Sequence, residues 1–122
     1  MRLAAPVRND RVSPVFDTAR RLLLLDLADG AEQSRRLVEV AQASCPTERA
    51  KCLAGLGVNV LVCGAISRPL AGSVSAAGIV LFPWVAGPVD EVLRAYLAGR
   101  LSEPRWRMPG CGDRDQCRRI RE

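Results

Sequence analysis

The sequence predicts an α/β domain on a mixed sheet, with its elements in the order βββαβαβα. Three observations carry this expectation. Two short, continuous apolar runs, Val58 to Cys63 and Ile79 to Phe82, read as strands buried on both faces of a sheet. Each is followed by a segment with helical apolar spacing, so the later strands are parallel and joined by right-handed crossovers. Upstream, Ala28-Asp29-Gly30 separates two strand-like runs and is a hairpin signal, which makes two of the early strands antiparallel.

Taken in order, Arg2 to Val7 is a short apolar first strand that ends in the polar Arg8-Asn9-Asp10-Arg11. Val12 to Ala19 carries a proline and then a possible helical turn, so it is expected as a structured loop that either contacts a ligand or plugs the core. Phe16 fits a core anchor first and a ligand contact second. Arg21 to Leu27 and Glu32 to Val40 are the two arms of the hairpin. Pro46 to Leu56 has the marks of a helix. Ser44 or Cys45 stands at its cap, Glu48 lies near the positive end of the dipole, Ala50, Leu53 and Leu56 form the buried stripe, and Gly57 closes it.

After the strand ending at Cys63, Ser67 is placed to cap a second helix, with Pro69 in its first turn, Leu70, Val74 and Ala77 on one face and Gly78 as the stop. Pro83 breaks the next strand, and Gly87-Pro88 opens the last helix. Asp90 and Glu91 suit its first turn, Val89, Val92, Leu93, Tyr96 and Leu97 make the apolar stripe, and Gly99 with Arg100 ends it. Residues 1–101 therefore read as one domain. Residues 102–122, rich in Arg, Gly and Pro, read as a flexible tail.

A chain of 122 residues with 48% hydrophobic content can bury a core without disulfide or metal staples. Its N-terminal apolar stretch is too short for a signal peptide, and no apolar run approaches membrane-spanning length, so a cytoplasmic location is expected. Five cysteines in that compartment imply reduced thiols. The net charge of +5 comes almost wholly from arginine, with Lys51 as the sole lysine. The chain has no histidine, which excludes Ser-His-Asp, Cys-His and HExxH chemistry.

The blocks VLVCGAISRPLA, AAGI followed by PWVAGPVDEVLRAYLAGRL, and RVSPVFDTA resemble the dinitrogenase iron–molybdenum cofactor biosynthesis family, small domains that carry metal–sulfur cluster precursors during nitrogenase cofactor assembly. The resemblance implies a ribonuclease H-like core: a five-stranded mixed sheet in order 3-2-1-4-5, its second strand antiparallel to both neighbours. It also implies a non-catalytic carrier or scaffold for an iron–sulfur or iron–molybdenum–sulfur cluster, with cofactor-assembly proteins as partners. A nuclease built on the same core would need clustered carboxylates beginning on the first strand. Arg2 to Val7 has none and the fourth strand ends in Cys63, so an enzyme of that kind is not expected.

Open α/β sheets bind ligands beyond the carboxyl ends of their strands, here where strands 1 and 4 part. The loop after strand 1 offers Asn9, Ser13, Phe16 and Asp17, and the loop after strand 4 offers Gly64, Ser67 and Arg68, as cofactor-binding residues. The second loop leads into a helix N-terminus, whose free N–H groups suit an anion such as a phosphate or an anionic cluster. Cys63 would stand at the mouth as a thiolate ligand, or else be a small buried hydrophobe.

Cys111 and Cys117 could complete a metal shell from the tail. Their C-x5-C spacing matches no usual zinc or iron–sulfur pattern, and the MPGC run containing Cys111 resembles the tail of some family members. Cys45 and Cys52 are expected to pack. Two other readings stand beside the carrier: a binding module for an anionic small ligand or nucleic acid, and a redox or partner-binding regulator. Asp113, Asp115 and Glu122 dilute the tail's arginines and Trp106 is its lone aromatic, which disfavours nucleic acid.

Overall fold

A computed structural model describes residues 1–40, 46–101, 103, 106 and 107, with the backbone alone at Pro46. The strands are β1 (Arg2–Arg8), β2 (Arg11–Val12), β3 (Arg21–Ala28), β4 (Ala31–Glu39), β5 (Val60–Val62) and β6 (Val80–Phe82). The helices are α1 (Pro46–Gly55), α2 (Arg68–Ala76) and α3 (Val89–Leu97), with a single 3₁₀ turn at Phe16–Thr18. The sheet runs β4-β3-β1-β5-β6, and β2 pairs β1 off that path. β3 is antiparallel to both β1 and β4, while β1, β5 and β6 are mutually parallel.

Local chemistry accounts for the turns. Asp29 and Gly30 both take positive φ, 54° and 75°, as a two-residue hairpin between β3 and β4 requires. A second such turn, not expected from the sequence, joins β1 to β2 through Asn9 and Asp10 at φ 51° and 65°. Asparagine and aspartate tolerate this region better than other non-glycine residues. The strand β2 therefore replaces part of what reads as loop. Pro6 is accommodated in a central strand because β1 pairs β5 only at Leu3 and Ala4, and the Pro6 carbonyl instead accepts from the Ser13 N–H at 2.8 Å.

Two apolar layers sandwich the sheet. On one side Ala4, Leu22, Leu24 and Leu61 meet Ala50 and Leu53 of α1 and Leu70, Ala71 and Val74 of α2, with Phe16 fully buried among them. On the other side Leu3, Ala5, Leu23, Leu25, Val60 and Val62 meet Val89, Val92, Leu93 and Ala95 of α3. Among the described residues, one face thus carries two helices and the other carries one, which leaves the β3–β4 end of that second face uncovered; Leu37 there is 53% exposed.

The packed body extends past residue 101. Trp106 is buried in the α3-side layer, its carbonyl accepts from Ala86 N–H at 2.8 Å, and Val85 bridges Arg107. The expectation of a flexible tail from Ser102 does not hold at Trp106 and Arg107, because the indole packs in the α3-side layer against Gly87. Apart from Glu103, the rest of that tail, like the proposed caps Ser44 and Cys45, lies outside the described residues.

Candidate functional site

The crevice expected between the ends of β1 and β5 is filled by the chain itself. Phe16 N–H donates to the Ala65 carbonyl at 2.8 Å, Ala65 N–H donates to the Pro14 carbonyl at 2.7 Å, and Val15 and Ala65 form a parallel bridge. A Cβ on Gly64 would lie 2.6 Å from the carbonyl oxygens of both Ser13 and Pro14. Gly64 is therefore glycine so that two backbones can touch, not to admit a ligand.

The anion site at the start of α2 is occupied from within. The Asp17 carboxylate accepts from Ser67 N–H at 2.8 Å and from Ser67 Oγ at 2.5 Å, while Ser67 Oγ accepts from Leu70 N–H at 3.4 Å as the N-cap. A fixed carboxylate in this place supplies the negative charge that the helix end favours. Arg68 is exposed at the first position of α2.

Cys63 does not stand at a mouth. It is fully buried in the layer beneath α1 and α2. Burial pushes its thiol well above the ordinary range, and the nearby Asp17 carboxylate adds to the effect. A thiol held protonated and away from solvent packs as a hydrophobe, so the ligand reading of Cys63 gives way to the packing one. Phe16 is likewise a core anchor. The Arg49 guanidinium lies 5.3 Å from its ring centroid and donates to the Ala19 carbonyl at 2.9 Å, fixing α1 to the 3₁₀ turn. Cys111 and Cys117 lie outside the described residues, and among those described no group of three or more cysteine or acidic side chains could hold a metal ion.

A concavity lies on the other face, where α3 leaves part of the sheet bare among the described residues. It is a cleft of about 890 Å³, walled by the β1–β2 turn, the segment Thr18–Arg21 and the start of α3, and floored by Leu23 and Leu37. Of the predicted site residues, Asn9 and Ser13 line it. Phe16, Asp17, Gly64, Ser67 and Arg68 do not. Four arginines, Arg8, Arg20, Arg21 and Arg35, face two aspartates, Asp10 and Asp90.

The four are not equivalent. Arg35 is held by Glu32 and Asp90, each at 2.7 Å, and both pairings keep it firmly protonated. Arg8, Arg20 and Arg21 are exposed and make no ion pair among the described residues. Glu39 stands opposite Arg21 in the β3–β4 register without closing on it. Three open guanidiniums beside an apolar floor suit an anion of some size.

These arginines are not apparent from the sequence motifs, which point to the strand ends facing β5. β1 and β3 are antiparallel neighbours with Pro6 opposite Leu22, so continuing the register brings Arg8 abreast of Arg20, a juxtaposition that only the strand register reveals.

Fold and cleft together define an α/β/α domain with a mixed sheet and an anion-receptive cleft on its thinly covered face. The model of the dinitrogenase iron-molybdenum cofactor family matches residues 1–99, and the chain belongs to that family, which gives it a general cofactor-related role. It is 22% identical over 107 residues to the uncharacterized protein MJ0580 of Methanocaldococcus jannaschii, covering 84% of this chain and 91% of the relative. The crystal structure of PH0822 superposes with a TM-score of 0.76 at 23% identity, over 82% of this chain and 93% of the other. The apo form of the orange protein from Desulfovibrio gigas gives 0.68 at 23% identity, over 87% and 94%. At those identities the two structures establish the shared fold alone. No helix among the described residues is long and apolar enough to cross a membrane.

Proposed function

We propose that this protein is a non-catalytic carrier or scaffold that binds an anionic metal–sulfur cluster or its precursor, of iron–sulfur or iron–molybdenum type, during metallocofactor assembly. One observation carries the reading: a cleft of about 890 Å³ in a member of this family presents Arg8, Arg20 and Arg21 without carboxylate partners among the described residues. A sulfide-bridged cluster is a bulky polyanion, and guanidiniums bind such a periphery by charge and by N–H donation without entering the metal shell. Asn9 and Ser13 supply further polar groups at the rim, and Leu23 with Leu37 gives an apolar seat. Cys111 and Cys117 remain the thiolates proposed to complete ligation. Cofactor-assembly proteins would deliver and accept the cargo.

The test is anaerobic loading with iron, sulfide and molybdate, reading bound metal, acid-labile sulfide and sulfur-to-metal charge-transfer absorption. Wild type is compared with the triple variant Arg8→Ala, Arg20→Ala, Arg21→Ala and with Cys111→Ser. The triple variant is expected to lose most of the bound cluster. Full loading of the triple variant would remove the cleft from the reading. A wild type that loads nothing, yet binds inorganic phosphate or nucleotides with a steep salt dependence, would favour an anionic small ligand instead.

A further inference from the structure

We infer that the outer edge of β4 is a self-pairing surface, and that a second copy of this chain adds to it antiparallel about Leu37. Among the described residues β4 ends the sheet, and eight of its nine residues are exposed. Antiparallel ladders alternate, so only every second residue bonds to its neighbour. Val40 N–H donates to the Arg20 carbonyl at 2.7 Å, and the register places Arg36 and Val38 in the same phase opposite Leu24 and Leu22. The N–H and C=O groups of Arg35, Leu37 and Glu39 therefore point outward, away from β3.

The irregularity of the hairpin, between Asp26 and Leu27, lies at the turn end, and the segment from Ser34 to Glu39 is regular. Edge strands are commonly protected from pairing by bulges or inward charges. This segment has no bulge.

The charge pattern selects the partner and the register. Outward-bonding residues must meet outward-bonding residues. A two-fold axis at Arg35 sets Arg35 on Arg35, and one at Arg36 sets Arg36 on Arg36, both repulsive. An axis at Leu37 sets Leu37 on Leu37, Arg35 on Glu39 twice and Arg36 on Val38 twice. Only this register buries the exposed leucine against itself while pairing opposite charges, and each such cross-strand pair is favourable. Arg35 already bonds Glu32 and Asp90, and its five donors leave room for a third carboxylate. Pairing here makes one continuous sheet and sets the two arginine clefts, both of which include Leu37, side by side on one face.

Sedimentation equilibrium of the full chain over a range of concentrations tests this. Wild type is expected to show a reversible monomer–dimer equilibrium. Glu39→Arg sets arginine against arginine twice and should weaken self-association about tenfold or more. Arg35→Glu does the same with carboxylates. The decisive arm mixes the two variants: each alone is expected to be monomeric, while the mixture forms a heterodimer with both charge pairs restored. A wild type that stays monomeric at millimolar concentration overturns the inference. So does a dimer that Glu39→Arg leaves unchanged, or a mixture that fails to associate.

Discussion

The carboxylate of Asp17 accepts from both the N–H of Ser67, at 2.8 Å, and its hydroxyl, at 2.5 Å, across 50 positions of sequence. This contact ties the 3₁₀ turn after β2 to the first turn of α2 and places a negative charge where the helix dipole favours one. Hydrogen bonds to charged groups contribute about 1.5–3 kcal/mol each, and an N-cap side chain about 1 kcal/mol. Asp17→Ala removes two bonds to a charged group and Ser67→Ala removes one such bond together with the cap, so each is expected to lower unfolding free energy by about 3 kcal/mol. Urea denaturation of both single variants and the double variant checks this. The two effects should be clearly non-additive, since either change removes the shared bond. Simple additivity would mean that the pair does not act as a unit.

Gly64 gives a sharper test of how the two loops meet. Two backbone oxygens lie 2.6 Å from where its Cβ would be, and backbone cannot swing aside as a flexible side chain can. Gly64→Ala should cost about 3 kcal/mol, the upper end of overpacking penalties. Gly72 lies within α2, and a Cβ added there would meet nothing within 4 Å. Gly72→Ala should instead stabilise by about 0.5–1 kcal/mol, as a mid-helix glycine replacement does. If both substitutions are neutral, the close approach of residues 13 and 14 to Gly64 is wrong.

Trp106 lies in a stretch whose composition reads as tail, yet it seals the layer between α3 and the sheet. An added Cβ at Gly87 would meet the indole at 3.2 Å. Trp106→Ala should lower stability by about 3 kcal/mol, the usual cost of removing a buried aromatic. Intrinsic fluorescence should report it too, because a buried indole shifts red on unfolding and the variant retains only Trp84. A loss under about 0.5 kcal/mol would return the segment to a surface role.

What the sequence disclosed follows from periodicity and turn chemistry. The apolar run through Leu22 to Leu25, the Asp29-Gly30 turn and the stripe Val89, Val92, Leu93 are local signals, and each appears where expected. The site was less legible, because it depends on which distant groups meet. Asp17 and Ser67 both stand out in the sequence, but as two walls around a ligand. Nothing local indicates that each is the other's partner. Trp84 takes φ 64° with its N–H on the Gly64 carbonyl at 2.9 Å, a conformation no propensity would assign to a tryptophan. The cleft is hidden for a different reason. Among the described residues one helix covers a face that has room for two, a property of how distant elements pack.

Cys63 carries the last prediction, which concerns pH. Its folded thiol is pushed far above the reference value of 9.0, first by burial and then by Asp17, whereas in the unfolded chain it titrates near that reference. Between those two values the folded state retains a proton that the unfolded state has released. Stability from this group is thus complete below pH 9.0 and falls as pH rises above it, by up to about 1.4 kcal/mol per pH unit. Wild type should lose stability in alkali more steeply than Cys63→Ala, and the two curves should run parallel below pH 9.0. Thiol labelling under native conditions should spare Cys63 until global unfolding exposes it. Rapid native labelling of Cys63, together with a flat difference between the two pH curves, would mean that the thiol is open to solvent and would restore it as a candidate ligand.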